Sequence, residues 1–225
     1  MLIPSIDLMG GKIVQLVQGE QKALEFDDFA PWIERFSRFP LVQLIDLDAA
    51  LGQGTNRSQL ETFCRQLPCQ VGGGIRTSET AQELLEAGAR RVIIGSSLFR
   101  NGAVDQHFAQ NLADRVRSTQ LVFAVDSKKG QVVTQGWKNT NDVTAFDAIR
   151  ILEPWCHAFL YTHVDTEGLL QGFPLKVAEK LRRITRRQLI VAGGISSQDE
   201  IEALEQLGAD AVVGMALYTG RILAE

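Results

Sequence analysis

VGGGIRTSE, residues 71–79, and VAGGISSQD, residues 191–199, repeat one pattern at two places in the chain. Each is an apolar run, a glycine cluster and an isoleucine, then Ser or Thr before a helix-like stretch. The likeness spreads outward from both copies. EAGARRVIIGSSLF, residues 86–99, parallels EQLGADAVVGMALY, residues 205–218. Gly73 with Gly193, Asp7 with Asp126, and Gly95 with Gly214 all recur at a spacing of about 120 positions. A period of half the chain predicts two similar halves.

Each half carries four short apolar runs. They are LIPSID (2–7), LVQLID (41–46), CQVGG (69–73), RVIIG (91–95), LVFAVD (121–126), AFLYTH (158–163), LIVAGG (189–194) and AVVGM (211–215). Each has the length of a strand and is continuous rather than alternating, as in parallel strands buried on both faces. Amphipathic stretches separate them, among them residues 78–88, 174–184 and 197–208, with Ser78 and Ser197 as N-caps. Eight strands with intervening helices predict an α/β fold, a (β/α)8 TIM barrel of two similar half-barrels. One domain is expected to occupy residues 1–225; an open doubly wound sheet is the alternative. Asp7 and Asp126 then end strands one and five, on opposite sides of one mouth.

The composition fits this reading. The chain has 225 residues, 45% hydrophobic and 22% charged, with a formal net charge of −4. That excludes a disordered chain and a broad basic face for nucleic acid. MLIPSIDLMGGK does not read as a signal peptide, and no apolar run approaches the roughly 20 residues of a membrane span. A cytoplasmic protein with no nucleic-acid or membrane partner is expected. Cys64, Cys69 and Cys156 lack metal-ligand spacing and read as reduced thiols.

The glycine clusters lie where barrel active sites are built, between a strand end and the next helix start. Glycine lets backbone N–H groups approach an anion closely, and a helix start adds unpaired donors. One pair of such loops, at Gly73–Gly74 and Gly95, faces another at Gly193–Gly194 and Gly214. The ligand implied is anionic at both ends; the plainer reading is that these glycines only permit tight turns. Asp7 and Asp126 follow buried runs, where a carboxylate is costly unless it serves the mouth. Such a pair can divide general-acid and general-base work. Asp46 and Asp48 also end a strand, with no assigned role. Trp137 follows GQVVTQG, read as a hairpin after strand five, and could stack on a planar ligand or staple the loop. His163 ends strand six and is expected to face the mouth.

IPSIDLMGGKIVQLVQG, QVGGGIR, VIIGSS, VDSKKGQVVTQGW and VAGGISS, in that order, resemble the ProFAR isomerase family of histidine biosynthesis. The resemblance runs along nearly the whole chain. GGGIR alone is shared with other phosphate-binding barrels; the opening IPxIDLxxGK combined with VDxxxGxVxxxGW is far more specific. The sister cyclase family opens with a cysteine where Ser5 stands here. The resemblance implies an Amadori rearrangement of an aminoaldose to an aminoketose in a substrate with two phosphates, with no cofactor, no metal and a monomeric enzyme. It makes Asp7 the general base at C2′ and Asp126 the general acid that opens the ribose ring. Thr162 matches an assisting threonine, and Trp137 a tryptophan that covers the aminoimidazole. Gly73, Gly74, Arg76, Gly95 and Ser96 match one phosphate side; Gly193, Gly194, Gly214 and Met215 match the other. His163 joins the substrate-binding set.

Departures from the family pattern gather in one region. Where the family reads T-D-I-x-x-D-G-T, residues 162–169 read THVDTEGL, so His163, Glu167 and Leu169 replace two Asp and a Thr. Met215 stands where an arginine often follows the glycine of strand eight, and Ser127, Lys128 and Lys129 replace the usual arginine after Asp126. Two rivals follow: an isomerase that also accepts phosphoribosylanthranilate, and a non-catalytic barrel that binds phosphate ligands.

Overall fold

The computed structural model describes residues 1–223. Eight parallel strands form the barrel: β1 (Leu2–Met9), β2 (Val42–Asp46), β3 (Cys69–Gly72), β4 (Arg91–Ile94), β5 (Leu121–Lys128), β6 (Ala158–His163), β7 (Gln188–Ala192) and β8 (Ala209–Val213). Each pairs with the next, and β8 pairs back onto β1 through Ile3 and Val212, which closes the sheet. A helix follows every strand: α1 (Ala30–Phe36), α2 (Arg57–Gln66), α3 (Ser78–Glu86), α4 (Gln106–Arg115), α5 (Ala145–Leu152), α6 (Leu175–Ile184), α7 (Gln198–Gln206) and α8 (Met215–Tyr218). The (β/α)8 barrel expected from the eight apolar runs is therefore present, and the open sheet is not.

Two apolar layers explain why the runs are continuous. Inside the barrel, Ile3, Ile93, Val122, Leu160, Ile190 and Val212 pack together. Outside it, Ile6, Leu8, Leu44, Phe123, Phe159 and Val191 pack against the helices. Successive side chains therefore enter opposite layers, and both layers are apolar. By the same alternation, Ser5 and Asp7 lie on the inward face with Ile3.

Both halves leave the barrel at the same point. A hairpin of residues 12–17 and 21–26 follows β1, and one of residues 131–134 and 139–144 follows β5. The second was read from the sequence; the first was not. Its outer strand, QKALEF, is largely exposed and gives no apolar run. Residues 21–26 and 139–144 are the outermost strands of the sheet.

Helix starts hold one correction. Ser197 is the N-cap of α7, and its side chain and that of Glu200 form a reciprocal capping box. On α3 the cap is Thr77, not Ser78. Thr77 has extended backbone and its hydroxyl accepts from the Thr80 N–H, while Ser78 is the buried first residue of the helix. The two caps share nearly the same backbone angles, φ −138° and −144° with ψ 160° in both.

Candidate active site

Strand alternation brings Asp7, Asp126 and Thr162 to the inner rim at the C-terminal ends of the strands. Asp126 and Thr162 are direct partners across β5 and β6. Asp7 accepts a hydrogen bond from the Ser5 hydroxyl at 3.2 Å. Burial dominates that contact and pushes its carboxyl up to about 6. Asp126 accepts from the Trp137 indole N–H at 2.9 Å. Burial also raises Asp126, against the opposing pull of its contacts with Trp137 and Thr162.

A third carboxyl shares this mouth. Glu167, on the loop after β6, is pushed up to about 8 by burial and by the charges of Asp7 and Asp126. The sequence marks Glu167 only as a departure from the family pattern, not as a site residue. Its burial comes from contacts distant in the chain. The Gln18 N–H donates to the Glu167 carbonyl at 3.2 Å, and a Cβ on Gly168 would lie 2.6 Å from the Leu16 carbonyl oxygen. The loop after β5 joins the same cover. The Lys129 N–H donates to Asp165 at 2.8 Å and the Gln135 N–H to the Ser96 hydroxyl at 3.0 Å. The Trp137 ring lies against Gly19, where a Cβ would sit 2.7 Å from the ring. Loops after β1, β5 and β6 thus touch one another around the mouth.

Glu167 gives a testable pH signature of its own. Its ordinary value of 4.5 applies unfolded, and about 8 applies folded. As pH rises from 4.5 to 8 the unfolded chain ionises this group while the native state does not, so the native state loses stability. Glu167→Gln removes that titration. Its Tm relative to wild type should climb steadily from pH 4.5 to 8 and level off above; a pH-independent difference would place Glu167 in water.

The glycine loops repeat the half-barrel relation in detail. Gly73 and Gly193 have φ +101° and +116°. A Cβ on them would lie 2.1 Å from the Asp46 carbonyl oxygen and 2.4 Å from that of His163. Gly74 and Gly194 follow, each pressed against the turn after the preceding strand. Gly95 and Gly214 share another unusual conformation, φ −117°, ψ −102° and φ −105°, ψ −96°. Ser96 and Met215 are the first residues of the short helical turns that follow.

Other expected residues are engaged elsewhere. The Arg76 guanidinium donates to the carbonyls of Ala49 and Ala50 at 3.2 and 3.3 Å, clasping the turn after β2. The Ser196 and Ser197 N–H groups donate to the Glu200 carboxylate at 2.8 and 3.2 Å, so that helix start already holds an anion of its own. The expectation that His163 faces the mouth is corrected. His163 has the parity of Tyr161, whose hydroxyl lies 3.2 Å from Nδ1, and its ring packs on Phe173. Thr162 alone points inward there. Asp46 and Asp48 are structural. Asp46 caps the turn of residues 47–51 and holds Thr55 and Asn56. Asp48 accepts from the Gly10 N–H at 2.7 Å. Among the described residues no group of three His, Cys, Asp or Glu is placed to hold a metal ion, and no helix is long and apolar enough to cross a membrane.

Comparison with known proteins agrees along the whole chain. The profile of the family described as "Histidine biosynthesis protein" matches residues 1–223. A protein of Methanocaldococcus jannaschii named 1-(5-phosphoribosyl)-5-((5-phosphoribosylamino)methylideneamino) imidazole-4-carboxamide isomerase is 36% identical over 228 residues, covering 98% of this chain and 94% of its own. Proteins of the same name from Methanosphaera stadtmanae and Thermus thermophilus are each 35% identical, covering 100% and 98% of this chain and 96% and 95% of their own. With its closed barrel, its paired glycine loops and its two facing aspartates, the chain belongs to the histidine biosynthesis protein family, among these isomerases.

Proposed function

We propose that the protein converts the aminoaldose ProFAR to its aminoketose by general acid–base catalysis; the name of its relatives, an isomerase of this carboxamide, supports the choice of substrate. The observation that carries this reading is the placing of Asp7 and Asp126 on opposite strands of one rim, each raised by burial. Asp126 delivers a proton to the ribose ring oxygen as the C1′–O bond breaks. Asp7 removes the C2′ proton, and the enol so formed becomes the ketone as its 2′-hydroxyl gives up a proton and C1′ takes one up. Each positioned acid or base is worth roughly 10²- to 10⁴-fold. The Thr162 hydroxyl and the Trp137 N–H orient the Asp126 carboxyl. Glu167 stays protonated near neutral pH and offers a further proton in the same mouth.

Two phosphates fit the two pairs of glycine loops. Gly73, Gly74, Gly95 and Ser96 take one; Gly193, Gly194, Gly214 and Met215 take the other. Arg76 supports the first side through the turn it clasps. Trp137 covers the heterocycle once the ligand displaces it from Asp126. The protein works as a monomeric, single-domain cytoplasmic enzyme, without a cofactor.

A steady-state assay with ProFAR beside phosphoribosylanthranilate tests this. Turnover of ProFAR alone is the expected result. Turnover of both would make it a dual-substrate isomerase. Tight binding of the bisphosphate without turnover would make it a binding barrel.

A further inference from the structure

The barrel interior is not wholly apolar. Gln43 and Gln70 are buried on neighbouring strands, and Arg91 begins β4 beside them. The Arg91 Nη2 donates to Gln70 Oε1 at 2.6 Å, Gln70 Nε2 to Gln43 Oε1 at 3.1 Å, and Gln43 Nε2 to Ser5 Oγ at 3.4 Å. The Ser5 hydroxyl donates to Asp7 Oδ1 at 3.2 Å. The chain thus runs from the foot of the barrel to the rim.

Its direction is forced. A guanidinium has five donors and no acceptor. Gln70 must therefore present its carbonyl to Arg91 and its NH2 group to Gln43. Gln43 must then present its own NH2 group to Ser5, and the Ser5 proton has only Asp7 to meet. Flipping either amide would set donors face to face. The other arm of Arg91 donates to Gln188, which donates to Asp210, each at 2.6 Å. The half-buried cation therefore has its counter-charge on the far side, away from Asp7.

We infer that Ser5 is a positioning residue for Asp7, the last link of a one-way chain of donors from Arg91 that keeps the Asp7 carboxylate ionised and aimed at the mouth. This rests on the reading of Asp7 as the base. The titratable groups that face Asp7 are Glu167 from the loop after β6 and Tyr218 from α8, with Asp126 across the mouth. None of them supplies a positive charge, and the Tyr218 hydroxyl is committed to the Ser5 carbonyl at 3.1 Å. The contact with Ser5 is the one interaction pulling the Asp7 carboxyl down against its burial. The half-barrel counterpart of Ser5 is Ala124, so Asp126 takes its donors from Trp137 and Thr162 instead of from its own strand.

The test titrates Asp7 directly by carboxyl-carbon NMR in the whole protein, assigned with Asp7→Asn, beside the pH profile of kcat/KM. In Ser5→Ala the midpoint of Asp7 and the acidic limb of the profile should both rise by roughly one pH unit. Ser5→Thr, which keeps the hydroxyl, should restore both. Gln43→Met touches no atom of Asp7, and should shift the midpoint in the same direction by less. An Asp7 midpoint unmoved in Ser5→Ala overturns the proposal, as does a loss of rate equal at every pH. A midpoint that moves while the rate profile stays put would uphold the chain of donors and remove Asp7 from the role of base.

Discussion

Asp7→Asn should lower kcat by roughly 10²- to 10⁴-fold while leaving the affinity for a bisphosphate ligand within a few-fold of wild type. The amide keeps the shape of the carboxyl and can still accept from Ser5, so packing at the rim should survive. What it loses is basicity. The wild-type rate should climb through about pH 6, because the base must be ionised and burial sets its carboxyl there. In the variant that inflection should vanish from the residual activity. Asp126→Asn should cost a similar factor but keep the inflection near pH 6, because Asp7 remains. Near-normal turnover in either variant would remove that residue from its role. Loss of ligand binding in step with kcat would assign it to binding instead.

The second large effect concerns folding. Gly73→Ala and Gly193→Ala should each destabilise the protein by about 2–5 kcal/mol. Roughly 1–2 of this comes from placing an L side chain at positive φ, and roughly 1–3 from overpacking. The added methyl would stand 2.1 Å from the Asp46 carbonyl oxygen or 2.4 Å from that of His163. Neither backbone can retreat, since each neighbour ends a barrel strand. For a chain of this length the Tm should drop by roughly 5–20 °C. Gly220→Ala is the control. It has φ +71° but nothing within 4 Å of the added carbon, so it should cost about 1 kcal/mol. Equal losses at Gly73 and Gly220 would show that conformation, not contact, sets the penalty. Near-equal losses at Gly73 and Gly193 would show that the half-barrel repeat extends to energetics.

How much of this was legible in the sequence depends on the range of the interactions. The eight strands were legible because both faces of each are buried, so burial writes itself as an unbroken apolar run. The repeat was legible because paired glycines mark backbone positions that other residues cannot occupy. Asp7 and Asp126 stood out as charges closing such runs. Thr77 and Ser78 are both good caps, and only the extended backbone of Thr77 decides between them. The inner face of Thr162, and with it the outward turn of His163, follows from the parity of β6, which the unbroken apolar run of Ala158 to Tyr161 conceals. Glu167 was illegible as a site residue because its burial depends on a loop docking against Leu16 and Gln18, about 150 positions away. Gln43 and Gln70 were a signal left unread: each is a lone amide inside an apolar strand, which calls for a buried partner.

Closing the barrel settles another matter. A strand with an unpaired side is a template on which another chain can add itself, and such addition seeds aggregates. Here all eight barrel strands are paired on both sides, so among the described residues the open sides are those of the outer strands of the two hairpins and of a short two-stranded sheet, residues 99–100 with 103–104. The outer strand of the first hairpin carries Lys22 and Glu25, joined as an ion pair, and is mostly exposed. That of the second, NTNDVT, is polar, and its Asp142 N–H is already taken by the Gly102 carbonyl at 3.0 Å. The open sides of both hairpins are thus charged, polar or occupied, which protects a barrel built on buried apolar strands against growth into fibres.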